Sequence, residues 1–219
     1  MHSDAAQLQV VHEDAHLLVL HKPSGLLTIP GQSPHQQDCL IARARQRWPD
    51  ALIVHRLDQA TSGLLMLARG PAMQKALSQA LEKRQVHKRY EAVVHGLPPA
   101  PNGADGWGQI DLPIRIDWQN RPRSIVDPLR GKPSRTRWQT MGPGPWADTT
   151  RLSLEPLTGR THQLRLHLMA LGHPIVGDPL YAPPPWPSLA PRLLLHACGL
   201  QLSHPATGEP LLLSLAAPF

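Results

Sequence analysis

The residues of this chain that could do chemistry concentrate in one string, Val54-His55-Arg56-Leu57-Asp58-Gln59-Ala60-Thr61-Ser62-Gly63. Asp58 stands in a turn rich in Thr, Ser and Gly, directly ahead of the apolar run Leu64–Ala68. An aspartate so placed sits at a sheet end, where a rigid strand presents a loop group to a ligand, and there it would serve as a catalytic carboxylate. The same Arg-x-Asp pattern also caps or braces loops, and the spacing alone leaves both readings open.

Other chemistries find less support. The chain has thirteen histidines, but the pair on one expected helix, His162 and His167, lies five apart. Zinc-binding helices place two histidines four apart with a nearby glutamate, so no metal site is expected. Ser62 lacks the Gly-x-Ser-x-Gly elbow of a serine hydrolase. Gly142-Pro143-Gly144-Pro145 is a stiff turn without the Lys-Ser/Thr of a phosphate loop. The two cysteines, Cys39 and Cys198, have no Cys-x-x-Cys neighbour. They read as free thiols of a reducing compartment, and the chain is expected to be cytoplasmic.

Those residues must be positioned by a chain of 219 residues, long enough to bury a core without disulfides. It contains 25 prolines and 16 glycines, which favour many stiff loops over long helical bundles. No basic segment followed by an apolar run opens the sequence, so no signal peptide is expected. No apolar stretch reaches the roughly 18 residues of a membrane span. The formal charge is +6, and it is uneven. Between Arg115 and Arg137, seven basic residues (Arg115, Arg121, Arg123, Arg130, Lys132, Arg135, Arg137) face two acids, Asp117 and Asp127, with Trp118 and Trp138 beside them. Arginine forks near aromatic rings suit phosphate contacts and stacking on unpaired bases. Read from charge alone, a solvated basic face explains the segment equally well.

Periodicity supplies the elements. Leu8–Val11 and Leu17–Leu20 read as a hairpin turned at Glu13-Asp14. Asp38 is the expected N-cap of a helix running to Trp48 and stopped by Pro49. Leu64–Ala68 reads as a buried strand. Pro71 opens a helix with Met73, Leu77, Ala80 and Leu81 on one face. Val86–Gly96 and Thr150–Glu155 alternate as strands, the first with Tyr90, Ala92 and Val94 together. His162–Leu171 reads as a helix with Leu164, Leu168 and Leu171 on one face, ended by Gly172. Leu193–Leu202 and Leu211–Leu215 form a closing hairpin through Pro205–Gly208. Pro98–Gly108, Gly142–Pro145 and Pro183–Pro187 are expected surface loops. Many strands and few helices, without strict βαβ alternation, predict an α+β fold on a mixed, mostly antiparallel sheet. The whole chain, residues 1–219, is expected to form a single catalytic domain.

The string His55-Arg56-Leu57-Asp58-x-x-Thr61-Ser62-Gly63, followed by its strand, resembles the signature of the RluA family of pseudouridine synthases. Four further segments agree in order: His21-Lys22-Pro23-Ser24-Gly25-Leu26; Lys88-x-Tyr90-x-Ala92-x-Val94-x-Gly96; Leu157-Thr158-Gly159-Arg160-Thr161-His162-Gln163-Leu164-Arg165-Leu166-His167; and Arg192-Leu193-Leu194-Leu195-His196-Ala197 with His204-Pro205. Asp117-Trp118-x-Asn120-Arg121-Pro122 further resembles the dual-specificity tRNA/rRNA branch of that family. His21 departs from the more usual Asn or Asp. The accessory N-terminal RNA-binding domain of many relatives is not expected here, which leaves RNA contacts to the core and to the Arg115–Arg137 segment.

The resemblance implies a pseudouridine synthase fold and isomerisation of uridine to pseudouridine in structured RNA, a tRNA anticodon stem-loop or a large-subunit rRNA hairpin. It implies no cofactor, because the reaction needs no redox change, hydrolysis or group donor. Asp58 is then the catalytic carboxylate, Arg165 the cation that keeps it ionised, and Tyr90 the ring that stacks on the uracil and a candidate for the C5 proton. Arg56 matches the arginine that fills the gap left by the flipped base. Arg121, Arg123, Arg160 and His162 are expected RNA contacts, His162 alternatively fixing local hydrogen bonds. One of Leu193, Leu194 and Leu195 is expected to wall the pocket. No membrane and no obligate protein partner are expected, and the family expectation is a monomer. Two other classes, a non-catalytic RNA-binding protein and a metal-dependent hydrolase, fit less well. The first leaves Asp58, Tyr90 and Arg165 without a purpose, and the second lacks ligand spacing.

Overall fold

A computed structural model describes residues 8–101 and 103–219. In chain order the elements are β1 (Val10–Glu13), β2 (Leu17–Lys22), α1 (Leu40–Arg47), β3 (Ala51–Ile53), β4 (Ser62–Arg69), α2 (Pro71–Glu82), β5 (His87–His95), β6 (Gly108–Asp111), β7 (Ile114–Ile116), β8 (Ser124–Val126), β9 (Arg135–Pro143), β10 (Thr149–Pro156), α3 (Gln163–Ala170), β11 (Leu195–Ser203) and β12 (Pro210–Ser214). This is the expected α+β class, a mixed sheet with few helices. The chain divides into two compact units: the described residues up to His87 with Ala197–Pro218, and Lys88–His196 with Phe219.

In the first unit the strands lie in the order β1-β2-β4-β11, with β3 on β4 and β12 on β11. β2 and β4 pair antiparallel with Leu17 opposite Ala68 and Lys22 opposite Gly63. Both strands are buried on both faces, so their apolar residues run on without alternating. One face carries Leu17, Val19, Leu64, Met66 and Ala68, and α2 packs Met73 and Leu77 into it beside Leu200 and Leu202. The helix face anticipated from spacing is the one used. Pro71 starts α2 after Gly70, whose φ of +80° a residue with a Cβ would resist.

α1 starts differently from expectation. Its N-cap is Cys39, extended and without a capping side chain. Asp38 instead pairs with Arg43 through two hydrogen bonds of 2.7 and 2.6 Å. The first helical N–H groups donate to the carbonyls of Leu27 and Thr28. A neighbouring backbone thus takes over the role a capping carboxylate would have played.

In the second unit the order is β5-β10-β9-β6. Register sets Tyr90 opposite Leu154, Leu154 opposite Trp138, and Trp138 opposite Gly108, so these residues share one face. α3 lies on that face: Gln163 Nε2 donates to Thr136 Oγ1 at 3.0 Å, and Thr136 Oγ1 lies 2.9 Å from His167 Nδ1. Residues 163–168 of this helix are all buried, a wider contact than one leucine stripe. The extra cover includes the β7–β8 hairpin, whose Ile114 packs with Leu166 and Tyr181. Strands β3 and β6–β9 lie outside the periodic runs of the sequence. They are short or rich in Arg and Gln, and pairing rather than apolar pattern defines them. Gly142 and Pro143, expected in a loop, complete β9.

Gly63 shows how tightly the first unit is built. Its φ is +119°, and a Cβ there would lie 2.3 Å from the Ala197 carbonyl oxygen and 2.4 Å from its nitrogen. Gly63→Ala should therefore destabilise the protein by about 3 kcal/mol or more, from overpacking and backbone strain together. Urea unfolding checks this, and a midpoint equal to the parent's would contradict it.

Candidate active site

Asp58 is held by its backbone. β3 ends at Ile53 opposite Leu67, and the next N–H along β4 is that of Met66. The His55 imidazole accepts it at 3.0 Å, and the chain leaves the sheet there. The loop that follows is gripped by the Lys22–Thr28 segment. Lys22 is fully buried, and its ammonium donates to the carbonyls of Pro23 (2.9 Å), Leu26 (2.7 Å) and Gln59 (3.1 Å). Ser24 Oγ donates to the Ala60 carbonyl at 2.7 Å, and Gly25 N to the Gln59 carbonyl at 2.8 Å. Thr28 Oγ1 both donates to the Leu57 carbonyl and accepts from the Leu57 N–H. Thr61 N–H closes the turn on the Asp58 carbonyl.

The Lys-Pro-Ser-Gly turn, noted in the sequence for its resemblance alone, is thus a latch on the Asp58 loop. A buried ammonium is costly unless its protons are matched, and three carbonyls match them. Asp58 itself is half-buried and Arg56, two residues before it, is exposed. A half-buried aspartate on a fixed loop, with an exposed arginine two residues before it, is held by a backbone that stays still.

The second unit holds Tyr90 and Arg165. Tyr90 is buried on β5, on the sheet face that α3 covers. Arg165, 3 % exposed, donates from Nε to Asp178 Oδ2 at 2.8 Å and from NH2 to Asp178 Oδ1 at 2.6 Å. Asp178 also accepts the backbone N–H groups of Leu180 and Tyr181. The guanidinium lies 5.2 Å from the centre of the Tyr181 ring. Two-point pairing fixes the plane of the fork, so the direction of Arg165 is set by Asp178.

Sequence reasoning missed both Asp178 and Tyr181. Neither stands in one of the strings singled out in the sequence, and their partners are distant in the chain. The one signal is the run Gly177-Asp178-Pro179, whose turn chemistry marks a bend that must be satisfied. Tyr181 joins three elements: its hydroxyl accepts from Ser124 N at 2.8 Å and lies 2.9 Å from His162 Nδ1, while its ring faces Arg165.

The expected RNA contacts divide. His162 is the N-cap of α3 at φ 56°, with its ring buried against Tyr181, which favours its local hydrogen-bonding role. Arg160 is exposed and reaches the Pro133 carbonyl at 3.4 Å. Arg123 donates to the Leu180 carbonyl and lies 5.8 Å from the Tyr181 ring. Arg121 stacks on Trp118, 3.6 Å from its ring centre. The basic segment is not uniform: Arg115 pairs with Asp127, and Arg137 with Asp105 and Glu155. Arg115 and bonds from two backbone N–H groups hold the Asp127 carboxyl down at about 2. Leu193, Leu194 and Leu195 are all buried. Among the described residues, no group of three or more His, Cys, Asp or Glu side chains is placed to hold a metal ion.

Removing Asp178 takes from the buried Arg165 guanidinium the carboxylate that holds it at two points. Asp178→Ala should cost about 3–5 kcal/mol in denaturant unfolding, and Asp178→Asn less, because the amide oxygen still accepts one bond. Equal stability of Asp178→Ala and the parent would show that the pair holds nothing in place.

Comparison with known proteins places this geometry. Residues 16–170 match the family model described as RNA pseudouridylate synthase. The chain is 43% identical over 211 residues to the "Dual-specificity RNA pseudouridine synthase RluA" of Pasteurella multocida, covering 96% of this chain and 93% of that one. It is 42% identical over 213 residues to the protein of the same name from Escherichia coli K12, with 97% and 94% covered. Among solved structures it resembles human RNA pseudouridylate synthase domain containing 1, with a TM-score of 0.79 and 28% identity over 99% of this chain and 86% of that one. Human RNA pseudouridylate synthase domain containing 4 gives 0.72 and 25%, over 96% and 88%. On this family match and these identities, the chain belongs to the RNA pseudouridylate synthase family.

Proposed function

We propose that this protein isomerises uridine to pseudouridine in structured RNA, as a single catalytic domain. The substrates are a tRNA anticodon stem-loop and a large-subunit rRNA hairpin, in keeping with the dual-specificity name of its relatives. The observation that carries the reading is Asp58 itself, a half-buried aspartate on a loop latched by Lys22, in a chain of this family.

In the reaction the N1–C1′ glycosidic bond breaks, the uracil turns, and a C5–C1′ bond forms. The proton on C5 is released and N1 gains one, so atoms balance without an oxidant, water or donor. Asp58 opens the sequence, attacking C1′ or taking the C2′ proton. Either role needs the ionised form, which a cation favours, and Arg165 is our assignment for it. Tyr90 stacks on the uracil and is our assignment for the group that takes the C5 proton. Arg56 enters the helix as the target base leaves it, limiting the unstacking cost. The protein works as a monomer in the cytoplasm, without an obligate partner or a membrane. No helix among the described residues is long and apolar enough to cross one.

Asp58→Asn should abolish tritium release from RNA labelled at uridine C5 while keeping RNA affinity within about threefold. Release at the parental rate would remove Asp58 from the chemistry, and loss of activity on adding a chelator would point to a metal instead. The exposed cations give a second test. Replacing Arg121 and Arg130 together by Gln should reduce the slope of log affinity against log salt by about one for each phosphate no longer neutralised. An unchanged slope would mean that RNA docks elsewhere.

A further inference from the structure

The tip of the β7–β8 hairpin has a feature that the isomerisation does not use. Trp118 is 65% exposed, whereas Trp138 and Trp48 are buried. An indole left in water at a loop tip contributes little to folding. The turn that carries it is nonetheless tightly made. Asp117 N donates to the Arg123 carbonyl at 2.9 Å and Arg123 N to the Asn120 carbonyl at 3.0 Å. The Asp117 side chain accepts from Asn120 Nδ2 at 2.9 Å and from Gln119 N at 3.3 Å. These bonds hold its carboxyl below the usual carboxylate range, so the turn keeps its acceptor charged.

The root of the hairpin is equally fixed. Ser124 N donates to the Tyr181 hydroxyl, Arg123 donates to the Leu180 carbonyl, and Ile114 packs on Leu166 and Tyr181. Trp118 is therefore presented on a rigid arm attached to α3. One face of its ring is covered by the Arg121 guanidinium at 3.6 Å. The opposite face is the one left to a ligand.

We propose that Trp118, backed by Arg121, is a stacking platform for an unpaired base of the RNA substrate, and so selects RNAs that carry a splayed loop nucleotide. This rests on the RNA reading given above. The chemistry of the surroundings favours a nucleobase. A planar ring stacks on indole whatever its sequence, and the cation behind the ring strengthens the stack. Exposed Arg130, Lys132 and Arg160 on the same unit have no acidic partner among the described residues, which suits a phosphate backbone running past the base.

The test uses the whole protein and a stem-loop RNA with 2-aminopurine at successive loop positions, beside a fully paired duplex of the same stem. The parent should quench the probe at one loop position on binding. Trp118→Ala should lose that quench and bind the stem-loop about tenfold more weakly, with duplex affinity unchanged. Trp118→Phe should keep the quench and most of the affinity, and thermal melting confirms that both variants are folded. The platform is refuted if Trp118→Ala retains the quench with affinity within about twofold of the parent. It is refuted equally if stem-loop and duplex lose affinity together, since the contact would then ignore the unpaired base. Absence of tritium release by the parent, with the quench present, would overturn the isomerase reading and leave the platform supported.

Discussion

A buried ammonium governs the first unit of this protein. Lys22 has no access to water, so its three protons must be met inside, and the acceptors it finds are main-chain carbonyls of Pro23, Leu26 and Gln59. Because Gln59 lies 37 residues beyond Lys22, the lysine can be satisfied only when both segments are in place. Desolvation is thereby converted into geometry: the loop of Asp58 is held by a group that would be left buried and unmatched without it. The same segment supplies the carbonyls that receive the first N–H groups of α1, so one turn organises both the loop and a helix. Ser24 and Thr28 add direct bonds on either side of Asp58, so the backbone that carries it is held from both directions.

The second unit applies the same logic with a charge pair. Arg165 and Asp178 are both buried and joined by two short bonds, an arrangement that fixes direction more than it adds stability. Tyr181 extends this order outward, receiving Ser124 from the hairpin and lying within bonding distance of His162 at the head of α3. Arg165, proposed above as the cation that keeps Asp58 ionised, is thereby held in one orientation by its own partners, which lowers the reorganisation that such a role would otherwise require.

The arginine-rich segment shows why net charge is a poor map of a binding surface. Its +5 reads in the sequence as one patch, yet Arg115 and Arg137 are consumed by carboxylates, and Arg123 is tied to the Leu180 carbonyl. Those arginines build and anchor the hairpin. Of the four cations that remain, Arg135 is half-buried, while Arg121, Arg130 and Lys132 are exposed and are the ones best placed to neutralise phosphate. Partition between structural and available charge depends on which acids fold alongside.

Local signals were enough for much of this protein. The continuous apolar run of β4, the Pro71 start and 3.6-residue period of α2, and the alternation of β5 each depend on neighbours within a few residues, and each stands as expected. Asp58, Tyr90 and Arg165 were legible as a set because their surrounding strings resemble a family, whose model and relatives this chain matches. Tertiary structure decided the rest. Asp38 lost the helix cap to backbone carbonyls of Leu27 and Thr28, β9 took in a Gly-Pro pair that reads as a loop, and Asp178 and Tyr181 entered the site without a motif. In each case the deciding partner lies far along the chain, and hydrogen-bond demand in a buried setting is met by whatever the fold brings near. Sequence determined which groups could react; only the fold determined which groups hold them still.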